Sequence, residues 1–419
     1  MDEQRYLING KVYTPHDPGL QEALARVYGT PARPRCLCID GGVEMYVSRF
    51  HEFVIKRMPE SGTEHALTCP SYELPPGDSG LGQLLGEAII DRGADGIELR
   101  LDFPLTRRTG RAAAVRDAPS VSDVTVARKQ LSLRGLLHYL WEQARFNRWY
   151  PRMQGKRSYA VVRKFLLRAC EQVETKGLRL SERVFIPEPF QRDHAAQIAR
   201  RHREALSLLS SPEGQLQFKM MIAIGELKDL RPTTVGYQLV LRHLPDCALL
   251  LDQTAGDRTK RAFDSELIAW TAAQVRLVVA CLIHARHEHC YQIDSLTIMM
   301  TSRQWIPLDH VLENDVAEKL VAEERAFIKP LRYDAKHVGD FPNFLLLDAG
   351  ARPTPLDITS AFLSEEKQAA KARAIRVRQA NGWLWDARQG GAVPELPPRS
   401  VAAVRGNSVD ARQFSARPT

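Results

Sequence analysis

Residues 308–388, LDHVLENDVAEKLVAEERAFIKPLRYDAKHVGDFPNFLLLDAGARPTPLDITSAFLSEEKQAAKARAIRVRQANGWLWDAR, switch period three times. In 308–326 the apolar residues Val311, Leu312, Val316, Leu320 and Val321 recur at helical spacing with acids between them, which predicts an amphipathic helix. FIKPLRYDA reads as a short strand with a charged flank. DFPNFLLLDAG reads as an apolar strand, opened by Pro342 and closed by Gly350. PTPLDITSAF reads as a third strand. A helix is expected from about Ser364 to Asn381, stopped by Gly382, and GWLWDARQ makes a last strand ended by Gly390 and Gly391. The order is helix, strand, strand, strand, helix, strand.

That αβββαβ order resembles the core of the PD-(D/E)xK nucleases. The resemblance implies an acid on the second strand and another on the third, holding a divalent cation such as Mg2+. Hard cations take carboxylate oxygens and activate water. It also implies a lysine that positions the attacking water. Asp357, in PLDI, matches the third-strand acid. Asn343, in FPNF, stands where the family carries Asp, and its neutral carbonyl oxygen implies weaker metal affinity. No lysine stands two residues after Asp357. Lys367 and Lys371, one turn apart on the next helix, are the candidates for a migrated lysine, and Glu318 is the expected helix carboxylate. The plain alternative makes Asp357 a strand-end acid and the two lysines a solvated helix face.

A second constellation lies near the N-terminus. Cys36 and Cys38 are followed by GVEMYVSRF and HEFVIKRM, which alternate like the strands of a hairpin, and then by His65 and Cys69. Two ligand pairs brought together across a hairpin complete a tetrahedral Zn2+ site of three sulfurs and one imidazole, of the closed, structural kind. So small a unit buries little core alone, so metal is expected to supply folding energy. The alternative is a group of merely buried, reduced cysteines.

The segments RPRCLC (33–38), GVEMYV (42–47), KRMPESGTEH (56–65), CPSYE (69–73), LLHYLWEQARFNRW (136–149) and FIKPLRYDA (327–335) together resemble an uncharacterised bacterial family, a domain of unknown function marked by three N-terminal cysteines. Members of that family occur on plasmids and integrative conjugative elements. The resemblance implies a mobile-element setting with a link to DNA transfer or maintenance, and supplies no activity.

A net charge of +8 leans toward a polyanionic partner. The helical segment 124–176 is strongly basic, and Arg145, Arg148, Trp149, Arg152, Lys156 and Arg157 combine phosphate-neutralising and base-stacking residue types. They are the expected nucleic-acid surface; packing on an acidic protein is the alternative. DSELIAWTAAQVRLVVACLIHARHEHC, 264–290, reads as one long buried helix with a histidine-rich end. PPGDSGLG, 75–82, reads as a linker. The Met1 end shows no secretory pattern and no run is long enough to span a bilayer, so a cytoplasmic protein is expected.

The expected fold is therefore α+β: a zinc-ribbon-like hairpin unit (1–75), a mixed α/β middle (83–305), a PD-(D/E)xK-like domain (306–390) and a disordered basic tail (394–419). The function it points to is a DNA-binding protein of bacterial mobile elements with a nuclease-like domain, active only if the altered metal site still works. The alternative is a non-enzymatic zinc-containing adaptor or regulator in a transfer or replication complex.

Overall fold

The computed structural model describes residues 4–49, 52–93, 96–108, 129–210, 217–272, 274–287, 289–335, 341–359, 365–378 and 383–400. The chain is a mixed α+β protein. Its first sheet holds β1 (Tyr6–Ile8), β2 (Lys11–Tyr13), β3 (Arg35–Cys36), β4 (Val43–Arg49) and β5 (Phe53–Arg57), in the order β2-β1-β3-β4-β5, with helix α1 (Leu20–Val27) after β2. β4 and β5 form the expected hairpin, with Met45 opposite Arg57 and Arg49 opposite Phe53. Residues 75–82 are not a loose linker. The Gly80 N–H donates to the Leu331 carbonyl at 2.9 Å, which docks the segment on the C-terminal part of the chain.

The middle contributes β6 (Ile89–Asp91), β7 (Ile97–Leu99), β8 (Thr106–Arg108), α2 (Leu133–Gln143), β9 (Arg148–Trp149), α3 (Tyr159–Glu171), β10 (Val173–Thr175), β11 (Leu178–Arg179), β12 (Val184–Phe185), α4 (Ala195–Leu206) and β13 (Gln217–Lys219). Serines cap the two main helices. Ser132 Oγ accepts from Gly135 N–H on α2, and Ser158 Oγ from Val161 N–H on α3, each satisfying a donor that the helix start leaves unpaired.

Next come β14 (Met221–Thr233), β15 (Gly236–Leu241), β16 (Leu244–Asp252), α5 (Gln253–Ala262), α6 (Asp264–Thr271), β17 (Arg276–His287) and β18 (Cys290–Thr301). Five of these strands close into a barrel, β14-β15-β16-β18-β17 and back to β14. All neighbours are antiparallel except β16 and β18, which run parallel. β14 serves two partners: its first half pairs β17, its second half pairs β15, and the register shifts between Leu227 and Asp229.

The barrel overturns the expected long helix over 264–290. Only α6 is helical, and the apolar run that follows is β17. The reason is burial on both faces. Leu277, Val279, Cys281 and Ile283 enter the core inside the barrel and under the C-terminal sheet, while Val278, Ala280 and Leu282 enter a second core with α2 and α3. A strand buried on both sides has no polar face, so its sequence runs apolar without alternation.

The chain ends with β19 (Pro307–Leu308), α7 (Leu312–Ala322), β20 (Phe327–Ile328), β21 (Phe344–Leu346), β22 (Thr354–Thr359), α8 (Glu365–Arg378) and β23 (Trp383–Asp386). The sheet order is β23-β22-β21-β20-β9. β20, β21 and β22 are successively antiparallel, and β22 and β23 are parallel. The edge strand β9 comes from the basic middle and pairs Trp149 with Phe327. Of the expected tail, residues 394–400 are tied down: Arg325 Nη1 donates to the Pro397 carbonyl at 2.8 Å, Arg399 Nη2 to the Glu323 carbonyl at 2.7 Å, and Ser400 N–H to the Asp348 carbonyl. Residues 401–419 lie outside the described residues.

Candidate functional site

Cys36 ends β3 and Cys38 follows it. His65 and Cys69 come after β5, beyond a turn in which Glu60 takes a left-handed backbone (φ 63°). One ligand atom from each of the four lies within 4.8 Å of all the others. Cys36 Sγ and Cys69 Sγ are 3.7 Å apart; His65 Nδ1 is 3.3 Å from Cys38 Sγ and 3.7 Å from Cys69 Sγ. With Zn–S near 2.3 Å, a tetrahedral ion sets its sulfurs about 3.7 Å apart, so the spacing suits such an ion. Backbone N–H groups point at the sulfurs as they would at thiolates: Ala66 at Cys38, 3.5 Å, and Ser71 at Cys69, 3.3 Å. Without a cation, contacts with Cys38 and Cys69 and burial raise the Cys36 thiol, while hydrogen bonds from Cys36 and Cys38 lower Cys69. Three ligands that compete to ionise are what a divalent cation relieves. The quartet fits a metal ion such as zinc.

The metal quartet is locked to the C-terminal sheet. Arg145 Nη1 donates to the Pro70 carbonyl, and Arg148 Nη1, from β9, to the Tyr72 carbonyl. Arg157 lies over the Phe146 and Trp149 rings and donates to the carbonyls of Phe146 (3.1 Å) and Gln304 (3.2 Å). Trp149 and Arg148 are buried. The expected nucleic-acid surface is thus divided: Arg148 and Trp149 are buried, while Arg145, Arg152 and Lys156 are exposed. Arg148, Trp149 and Arg157 turn inward, and Arg145 reaches a carbonyl, because β9 is the edge strand of the C-terminal sheet and its side chains pack against the Cys/His unit and the core. Only Arg152 and Lys156 of the set are exposed and without such internal bonds among the described residues; Arg152 covers the Tyr150 ring.

The C-terminal constellation converges in part. Asn343 precedes β21, Asp357 lies on β22 and Lys371 on α8; all three are buried. Lys371 Nζ donates to Asn343 Oδ1 and sits 3.7 Å from Asp357 Oδ1. Ile358 N–H also donates to Asn343 Oδ1, 2.9 Å. The expected Glu318 is exposed, on the outer side of α7. Glu313, near the start of the helix, is the carboxylate that faces in, and Asn343 Nδ2 donates to its Oε1 at 2.6 Å. The Lys367 side chain lies outside the described residues.

Sequence reading missed the rest of this cluster. Lys329 Nζ lies 2.9 Å from Glu313 Oε1 and 2.5 Å from Asp309 Oδ2, and Arg332 Nε lies 2.9 Å from the same Asp309 oxygen. The available signal was alternation: Lys329, just past β20, stands two residues after the core residue Phe327 and in phase with it. Burial opposes ionisation of Asp309, yet Arg332 and Lys329 hold its carboxyl well below the usual range. Burial lowers the Lys371 ammonium to about 8, against the pull of Asp357.

This cluster does not fit a hard divalent cation. Three carboxylates, Asp309, Glu313 and Asp357, face three cations, Lys329, Arg332 and Lys371, and the charges cancel. Asn343 Oδ1 and Glu313 Oε1 each already accept two hydrogen bonds. Among the described residues, only the Cys36, Cys38, His65 and Cys69 group gathers three or more ligand side chains closely enough for an ion. No helix among those residues is long and apolar enough to cross a membrane.

A family model described as "Protein of unknown function (DUF1173)" matches residues 6–388. No curated protein and no solved structure matches the chain.

Proposed function

The chain belongs to the DUF1173 family, and we propose that it is a DNA-binding protein in which a zinc unit buttresses a PD-(D/E)xK-like core that binds without cutting. The mobile-element setting is what the resemblance implies. The observation that carries the reading is the Lys371–Asn343–Glu313–Lys329 chain of contacts. The strand order and senses of β20 to β23, with α7 before and α8 between, support a nuclease-like ancestry for the core. Lys371 and Lys329 bond the Asn343 and Glu313 oxygens that a metal ion would need, and this supports binding over cleavage. Arg373 and Arg376 on the exposed side of α8 add positive charge beside the core.

The test uses full-length protein with single- and double-stranded DNA. A mobility shift that weakens steeply with salt, and no cleavage in Mg2+ or Mn2+, is the expected result. Metal-dependent cleavage that disappears in Asp357→Ala overturns the non-cutting part. No shift on any DNA at low salt overturns the binding part and leaves a protein–protein adaptor.

A further inference from the structure

We propose that the barrel takes one unstacked nucleobase of a single strand into the cavity between α4 and β16. The proposal rests on the DNA-binding reading above. The cavity has a volume of about 400 Å3, within the size range of small-molecule sites, which are mostly apolar with a few polar groups. Its wall is Phe190, Ile198, Leu206, Leu244 and Tyr291, and its rim carries Arg203, Asp246 and His289.

Three features select a base. The first is shape and surface: aromatic and aliphatic side chains give a flat ring apolar faces to lie against. The second is the rim. Arg203 and His289 bring donors, Asp246 brings acceptors, and all three are exposed at the mouth. A base edge carries both kinds of partner, whereas a hydrocarbon chain uses neither. A single carboxylate is too few for a divalent cation. The third is the topology. Counting from β14, the ring runs first, second, third, fifth, fourth, with the only parallel pair between third and fifth. That is the order of OB-type barrels, which take oligonucleotides along the second and third strands and the turn between fourth and fifth. Here the cavity is built from the third strand, at Leu244 to Cys247, and from the fourth-to-fifth turn, at His289. Arg203 sits on α4 at the mouth, where it would meet a flanking phosphate, while its neighbours Arg200 and Arg201 pair with Glu204 and Glu188.

The experiment compares a 12-nucleotide single strand with an abasic strand of the same length, in EDTA-free buffer without divalent metal, by fluorescence anisotropy on the full chain. The wild type is expected to bind the base-bearing strand about tenfold tighter, the scale of one stacked base. Ala199→Trp, which fills the cavity from α4, is expected to erase that preference while keeping the abasic-strand affinity. Asp246→Ala, at the exposed rim, provides a variant with little folding risk, and is expected to reduce discrimination among bases. Equal wild-type affinity for both strands overturns the base site and leaves DNA binding standing. A preference unchanged in both variants also overturns it. No binding of either strand overturns the base site together with the reading beneath it.

Discussion

The Lys329 ammonium lies 2.9 Å from Glu313 Oε1, and each side chain is only 1% exposed. A pair so dry is costly to break, because removing one partner leaves a buried charge uncompensated. Lys329→Met is therefore expected to lower unfolding stability by about 3–5 kcal/mol. Lys329→Met with Glu313→Gln is expected to recover a large part of that loss. Urea unfolding of the two proteins checks this. A single variant that costs under about 1 kcal/mol rules out the ion pair as a buried structural element.

The metal quartet and edge strand β9 are joined through the Pro70 and Tyr72 carbonyls that hold Arg145 and Arg148. Metal analysis is expected to find one zinc per chain in the wild type and none in Cys36→Ser. In the metal-free protein, amide exchange is expected to speed up at Arg148 and Trp149 as well as around His65, since local opening follows lost anchoring. Exchange that changes only near the cysteines would show the two regions to be energetically separate.

His138 is buried, with Nδ1 accepting from the Tyr333 N–H at 3.0 Å, and burial pulls its pKa down to about 3. The unfolded chain protonates this residue near pH 6.5, before the folded one does. Its contribution is thus complete above about pH 6.5 and is lost as the pH falls toward 3. The slope is up to about 1.4 kcal/mol per pH unit. Stability measured from pH 7 to 4 is expected to fall less steeply in His138→Gln. Parallel curves would assign the acid sensitivity to other groups.

The sequence made some of this legible, and for physical reasons. The Cys and His spacing around a hairpin constrains where four donors can meet, and the expected strands β4 and β5 carry them there. Alternating or helical periods likewise located α7, β21 and β22. Reading failed where the two faces of an element are equally apolar, as in β17, because period then carries no information. The β-branched residues Val275, Val278, Val279 and Ile283 were the remaining hint. It failed again at Arg148 and Trp149: composition reports charge and aromaticity, not which way a two-residue edge strand turns them. Glu313 was passed over for Glu318 because the face of α7 that turns inward is set by packing on the sheet.

Gly80 tests the docking of residues 75–82 on the buried ionic cluster. A Cβ built at Gly80 falls 2.1 Å from the Arg332 carbonyl oxygen, and Arg332 is one of the two cations that hold Asp309. A backbone oxygen cannot rotate aside as a side chain does. Gly80→Ala therefore has to push the segment away or shift residues 331–332. The expected cost is about 1–3 kcal/mol, the range for overpacking a filled core. The Gly80 N–H to Leu331 bond lengthens in either case, so amide exchange at Gly80 is expected to rise with the loss of stability. Gly77→Ala, with open space around its Cβ, is the matched control and is expected to leave both measurements near the wild-type values. If Gly80→Ala behaves like Gly77→Ala, the segment is not held against Arg332 in solution, and its contribution to the cluster falls with it.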